Sequence, residues 1–133
     1  MSGHNRESAR LIDTIRATFE SYVAAQSRDA KATLEHFHRS SPTYESAREM
    51  LHQLFLNYKL RCALETVDVV GMDESYVYAR VRQRTEKVEG PAFRDNVTDV
   101  LIVLREDEGA WKIWNQALLS VEAAPAREAA GGE

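Results

Sequence analysis

Tyr58 to Val70 reads "YKLRCALETVDVV", and the hydrophobic period of the chain changes there. Upstream, apolar residues recur at helical spacing; from Leu60 onward they alternate, which is the pattern of a strand with one buried face. Leu60, Cys62 and Leu64 share one parity, whereas Val67 and Val69 share the other. A strand keeps its apolar residues on one face through such a change only with an extra residue, so a β-bulge is expected near Glu65 and Thr66, and with it a bend in the sheet.

Working back from this stretch, Leu11, Ile12, Ile15, Phe19, Tyr22 and Val23 form the stripe of a first helix reaching about Gln26, with Asn5 or Ser8 as its cap. Asp29 suits the N-cap of a short second helix carrying Leu34 and Phe37, because its carboxylate can accept from free first-turn amides. Ser41 and Pro42 read as an N-cap and first helical residue, followed by a third stripe of Ala47, Met50, Leu51, Leu54, Phe55 and Tyr58. Working forward, "GMDES", "EGPA" and "EDEGA" are turns between further strands, expected from Tyr76 to about Val88, Phe93 to Arg105, and Trp111 to about Val121. Three helices followed by four strands with short turns specify an α+β fold, its helices packed on one face of a four-stranded antiparallel sheet. Residues 1–122 make this domain, and "EAAPAREAAGGE" reads as a solvated, disordered tail over 123–133.

Composition sets the outer limits. At 133 residues, 44% hydrophobic and 29% charged, the chain is one globular domain's worth. No apolar run is long enough to span a bilayer and the start lacks the plan of a secretory signal, so a cytoplasmic protein is expected. With 17 basic and 21 acidic residues the net charge is -4, which gives no general attraction to nucleic acid or to an anionic membrane. The arginines of "YVYARVRQR" alternate on one strand face with Tyr76 and Tyr78, and Glu65, Asp68 or Glu86 stand ready to neutralise them across strands. Cys62 has no internal partner and fits a strand as a small hydrophobe. His36, His38 and His52 lack the three or four converging ligands that zinc takes, so no metal and no cofactor is expected.

"VLIVL", Val100 to Leu104, has no polar alternation. An antiparallel strand of this kind is covered on both faces, and a single helical layer covers one. The reading is a homodimer joined through the open sheet face, or else a strongly curled sheet with its own tail or a loop on top.

"YVAAQSRDAKATLEHF" and "GAWKIWNQAL", with the order of elements over roughly residues 8 to 121, resemble the nuclear transport factor 2-like superfamily, which includes SnoaL-like cyclases and ketosteroid isomerases and shares a cystatin-like fold. The resemblance implies a curved sheet wrapped by helices into a cone, a pocket at its open end, and frequent dimerisation. It does not imply one reaction, because a fold hosts many functions. Set against the isomerases, Tyr22 stands at the oxyanion-donating tyrosine and Asp99 at the place of the donor aspartate. The proton-moving carboxylate has no counterpart, since the segment after the second helix is "HRSSP", where His38 is the only titratable substitute for that base. Two functions follow. One is a pocket for a small apolar molecule, with Tyr22, His38, Asp99 and Asn115 as candidate polar contacts; the other is a non-catalytic dimerisation or protein-interaction module whose cone is filled by its own side chains.

Overall fold

A computed structural model describes the backbone from residue 2 to residue 125 and the side chains from residue 8. Its order is α1 (Ser2–Gln26), α2 (Ala30–Leu34), α3 (Tyr44–Asn57), β1 (Lys59–Met72), β2 (Tyr76–Glu89), β3 (Asn96–Asp107) and β4 (Ala110–Ala123). The strands form one antiparallel meander in the order β1-β2-β3-β4. This is the α+β architecture expected from the sequence. No helix among the described residues is long and apolar enough to cross a membrane.

The helices follow local chemistry with two corrections. Asp29 caps α2 as expected, its Oδ1 accepting from the Ala32 amide at 2.7 Å. Helix α1 starts at Ser2, so Asn5 and Ser8 lie inside it and not at its cap. The N-cap of α3 is Thr43 and not Ser41. Ser41 instead holds the approach to that helix: its Oγ accepts from the Thr43 amide at 3.1 Å and donates to the Trp114 carbonyl, tying the segment to β4. Along α3, Ala47 and Leu51 are buried, whereas Met50, which the helical stripe included, is 55% exposed.

Between β1 and β2 the register shifts between Leu64 and Thr66, leaving Glu65 as the extra residue, and shifts again between Val69 and Gly71. Between β3 and β4 it shifts at Asp99/Val100 and at Val103/Leu104, so Leu119 and Trp114 are the extra residues of β4. Each bulge bends its strand and re-aims side chains, and four of them on the two outer strands curl the sheet around the helices. Phe37 extends the sheet by a single parallel bridge to Ile113, closed by His38 N–H to the Ile113 carbonyl and Ile113 N–H to the His36 carbonyl, both at 2.8 Å.

The concave face is filled. Val77, Ala79 and Val81 of β2 and Ile102 and Leu104 of β3 pack with Ile15, Phe19, Tyr22, Val23, Phe37, Leu51 and Ile113 in one buried cluster. Ile15, Phe19 and Leu104 are fully enclosed. The other face of β2 carries Tyr76, Tyr78, Arg80, Arg82 and Arg84, opposite Arg105, Val103, Leu101, Asp99 and Val97 of β3. At the chain's end, the Ala124 amide donates to the Asp95 carbonyl and Arg84 Nη2 to the Pro125 carbonyl. Most of the proposed tail, residues 126–133, lies outside the described residues.

Candidate functional site

The four residues singled out from the sequence do not converge. Tyr22 is walled into the core, its ring 5.8 Å from that of His36 and 5.9 Å from that of Phe37. Burial pushes its hydroxyl well above the ordinary tyrosine range, so it stays protonated. Asp99 is on the opposite face of the sheet, where it accepts from Arg82 Nη1 at 3.1 Å and pairs with Arg80 at 3.5 Å. Strand parity decides this: Asp99 shares the face of Leu101 and Val103, and the core takes Val100, Ile102 and Leu104. His38 is buried; its Nδ1 accepts from the Ser40 amide at 3.1 Å, and its ring meets that of Trp114 edge-on at 5.0 Å. Asn115 is exposed, and its Oδ1 accepts from the Gln116 amide. A tyrosine and an aspartate on opposite faces of one sheet cannot share an oxyanion, so the isomerase arrangement is not assembled in this chain.

The arginine ladder on the open face is largely paired. Arg82 meets Glu65 at 3.1 Å and Glu122 at 3.7 Å besides Asp99, and Arg84 meets Glu86 at 2.8 Å. Asp68, which stands opposite Arg80 in register, makes none of these ion pairs, because Arg80 turns to Asp99 instead. Beyond the ladder lies a cluster that periodicity did not disclose. The Arg105 guanidinium sits 4.7 Å from the Trp114 ring and 5.6 Å from the Tyr76 ring. Trp114 follows the core residue Ile113, so strand alternation turns it to that face, beside Arg105.

Among the described residues, clefts open along the helices, the Phe37 segment and β4. A cleft of about 440 Å³ is lined by Lys31, Leu34, Glu35, Phe37, Arg39, Tyr44, Asp107 and Lys112. Another of about 360 Å³ includes Asn115 with Phe37, Thr43, Ala47 and Met50. A third, of about 410 Å³, runs between α1 and the β3–β4 turn and includes Thr18, Ser21, His36, Trp111 and Lys112. Neither Tyr22 nor Asp99 lines any of these. Among the described residues no three His, Cys, Asp or Glu side chains gather as a metal-holding group. Burial pushes the Cys62 thiol up, and its Sγ lies 3.9 Å from both Gln26 Oε1 and Thr85 Oγ1, so it is a packed thiol at neutral pH.

The model of a family described as "Anti-sigma-I factor RsgI9, C-terminal domain" matches residues 18–124. The chain belongs to this family. No curated protein matches it by sequence. Among solved structures, a scytalone dehydratase candidate from Novosphingobium aromaticivorans superposes on this member of the RsgI9 C-terminal domain family with a TM-score of 0.71, at 10% identity, over 96% of this chain and 94% of that one. A ketosteroid isomerase-like protein from Erwinia carotovora atroseptica gives a TM-score of 0.61 at 16% identity, over 81% of this chain and 95% of that one. A cystatin-like-fold protein from Nostoc punctiforme gives 0.62 at 12% identity, covering 85% and 90%. These likenesses establish the nuclear transport factor 2-like fold for the RsgI9 C-terminal family member and nothing about its chemistry.

Proposed function

We propose that this domain is an association module that pairs with a second copy through the open face of its sheet. The observation that carries the reading is the division of β3: Ile102 and Leu104 are enclosed by the helices, while Leu101 and Val103 remain half-buried on a face that no described helix covers. Four strands of 12 to 14 residues present roughly 40 Å by 19 Å. That is close to the roughly 800 Å² each partner gives to a standard interface. Trp114, Tyr76, Tyr78 and Arg105 are of the types that anchor interfaces. The paired arginine ladder leaves little net charge to repel an identical partner. A family named for the C-terminal domain of an anti-sigma factor, a regulatory protein, also fits a module that acts by contact.

A second reading rests on the cleft of about 440 Å³, whose size suits a small molecule and whose wall combines Leu34, Phe37 and Tyr44 with the cations Lys31, Arg39 and Lys112. A small apolar ligand would then sit there and not in the filled cone. Light scattering and a thermal-shift screen with compact apolar compounds separate the two. A dimer with no ligand shift supports association alone. A monomer stabilised by a compound, with the effect lost in Phe37→Ala or Arg39→Ala, supports the ligand reading and removes the first.

A further inference from the structure

His36 sits just after α2, and both nitrogens of its ring are engaged. Nδ1 is 3.1 Å from the Ala32 carbonyl oxygen, and Nε2 is 3.0 Å from the Ser21 Oγ. A carbonyl can only accept, so Nδ1 carries the proton. Nε2 is then the lone-pair nitrogen, and the Ser21 hydroxyl donates to it. A hydroxyl within hydrogen-bond reach of an imidazole, whose far nitrogen is held by a third group, is the arrangement of a general-base-activated nucleophile, here with a backbone carbonyl as the orienting group. Burial, and to a lesser degree Lys112, hold the His36 pKa below its ordinary value, which keeps the ring neutral at physiological pH, with Nε2 free to accept a proton.

Ser21 is exposed, so the pair is accessible, and both residues line the cleft of about 410 Å³. Thr18 stands one helical turn before Ser21 on the same side of α1 and shares the cleft, as does the Lys112 side chain, whose Nζ is fixed by the Glu35 carbonyl at 2.7 Å. A hydroxyl donor, Thr18, and a cation, Lys112, therefore line the same cleft as the dyad, and groups of these kinds are what stabilise negative charge on an attacked carbonyl. Trp111 supplies an apolar wall.

We infer that Ser21 and His36 form a nucleophilic dyad that accepts acyl groups from small esters bound between α1 and the β3–β4 turn. In the first step Ser21 Oγ bonds to the acyl carbon while its proton passes to His36 Nε2. The bond from that carbon to the leaving oxygen breaks, and the departing alkoxide takes the proton from Nε2. In the second step water attacks the acyl-serine with Nε2 taking its proton and returning it to Ser21 Oγ, releasing the carboxylic acid. No oxidant, metal or cofactor enters either step. Ser21 lies on α1 and His36 just after α2, neither of them on the sheet, so this activity stands or falls apart from dimerisation.

The test uses the full chain with 4-nitrophenyl acetate, following nitrophenolate release and the intact mass. The wild type is expected to gain one acetyl group, located on Ser21 by peptide mapping. Ser21→Ala abolishes that adduct, His36→Gln slows its formation by about a hundredfold or more, and Ser46→Ala, a serine on α3 outside the dyad, leaves it unchanged. Acetyl found only on lysines or the N-terminal amine would overturn the inference. So would labelling of Ser21 at equal rates in the wild type and His36→Gln, which would make Ser21 merely an exposed hydroxyl.

Discussion

Phe19→Ala measures how full the cone is. The ring of Phe19 is wholly enclosed between α1 and the concave sheet face, beside Ile15, Val77 and Leu104 in the core. Truncation removes that burial and leaves a cavity the surrounding strands can only partly close, a loss of about 3–5 kcal/mol. For a domain of this size each kcal/mol moves the melting temperature by roughly 3–5 °C, so a fall of roughly 10–20 °C is expected in thermal unfolding followed by near-ultraviolet circular dichroism. The cavity is apolar, and benzene should bind it and restore part of the stability of the variant, while the wild type, with no such space, should not respond. A loss below about 1 kcal/mol, or a wild type stabilised by benzene as much as the variant, would show that the interior already holds an open pocket and refute the filled cone.

Gly90 has φ +130°, and an added Cβ would lie 2.5 Å from the Asn57 carbonyl oxygen and 2.7 Å from Tyr58 Cδ1, so Gly90→Ala should lower stability by about 2–4 kcal/mol in urea denaturation. Gly109→Ala, at φ +86° but in open space, should lose only about 1 kcal/mol by strain; equal losses would contradict the backbone account. Because burial holds His36 below its ordinary value of 6.5, its contribution is complete above that pH and is lost as pH falls from there through the lower folded-state value. His36→Gln should accordingly flatten the fall in urea midpoint between about pH 7.5 and about pH 5, and parallel profiles would remove the assignment.

The elements were legible because their signals are local. The change of period at Leu60 located β1, the parity switch within it located the Glu65 bulge, and Asp29 marked the start of α2. What the sequence hid depends on direction across the sheet. The resemblance to the isomerases paired Tyr22 with Asp99 as donors, yet Asp99 falls on the outer parity of β3 and finds Arg80 and Arg82. The apolar count of α3 included Met50, because a helical stripe does not say where the wall it faces ends. Trp114 takes the parity opposite to its neighbour Ile113, but that parity is assigned only once Ile113 is known to face the core. The Ser21–His36 pair depends on a contact the sequence does not show: Tyr22 and Phe37 meet in the core, and the residues just before each of them are brought together at its rim.

The most direct test of association through the open face is the mass in solution of three proteins by light scattering at micromolar concentration. The wild type should show twice the chain mass of 15.1 kDa. Leu101→Glu, on the open face, should be folded and monomeric, whereas Ile102→Glu, 2% exposed on the concave face, should fail to fold. A wild type that stays at 15.1 kDa, or a Leu101→Glu protein that remains a dimer, would contradict the account.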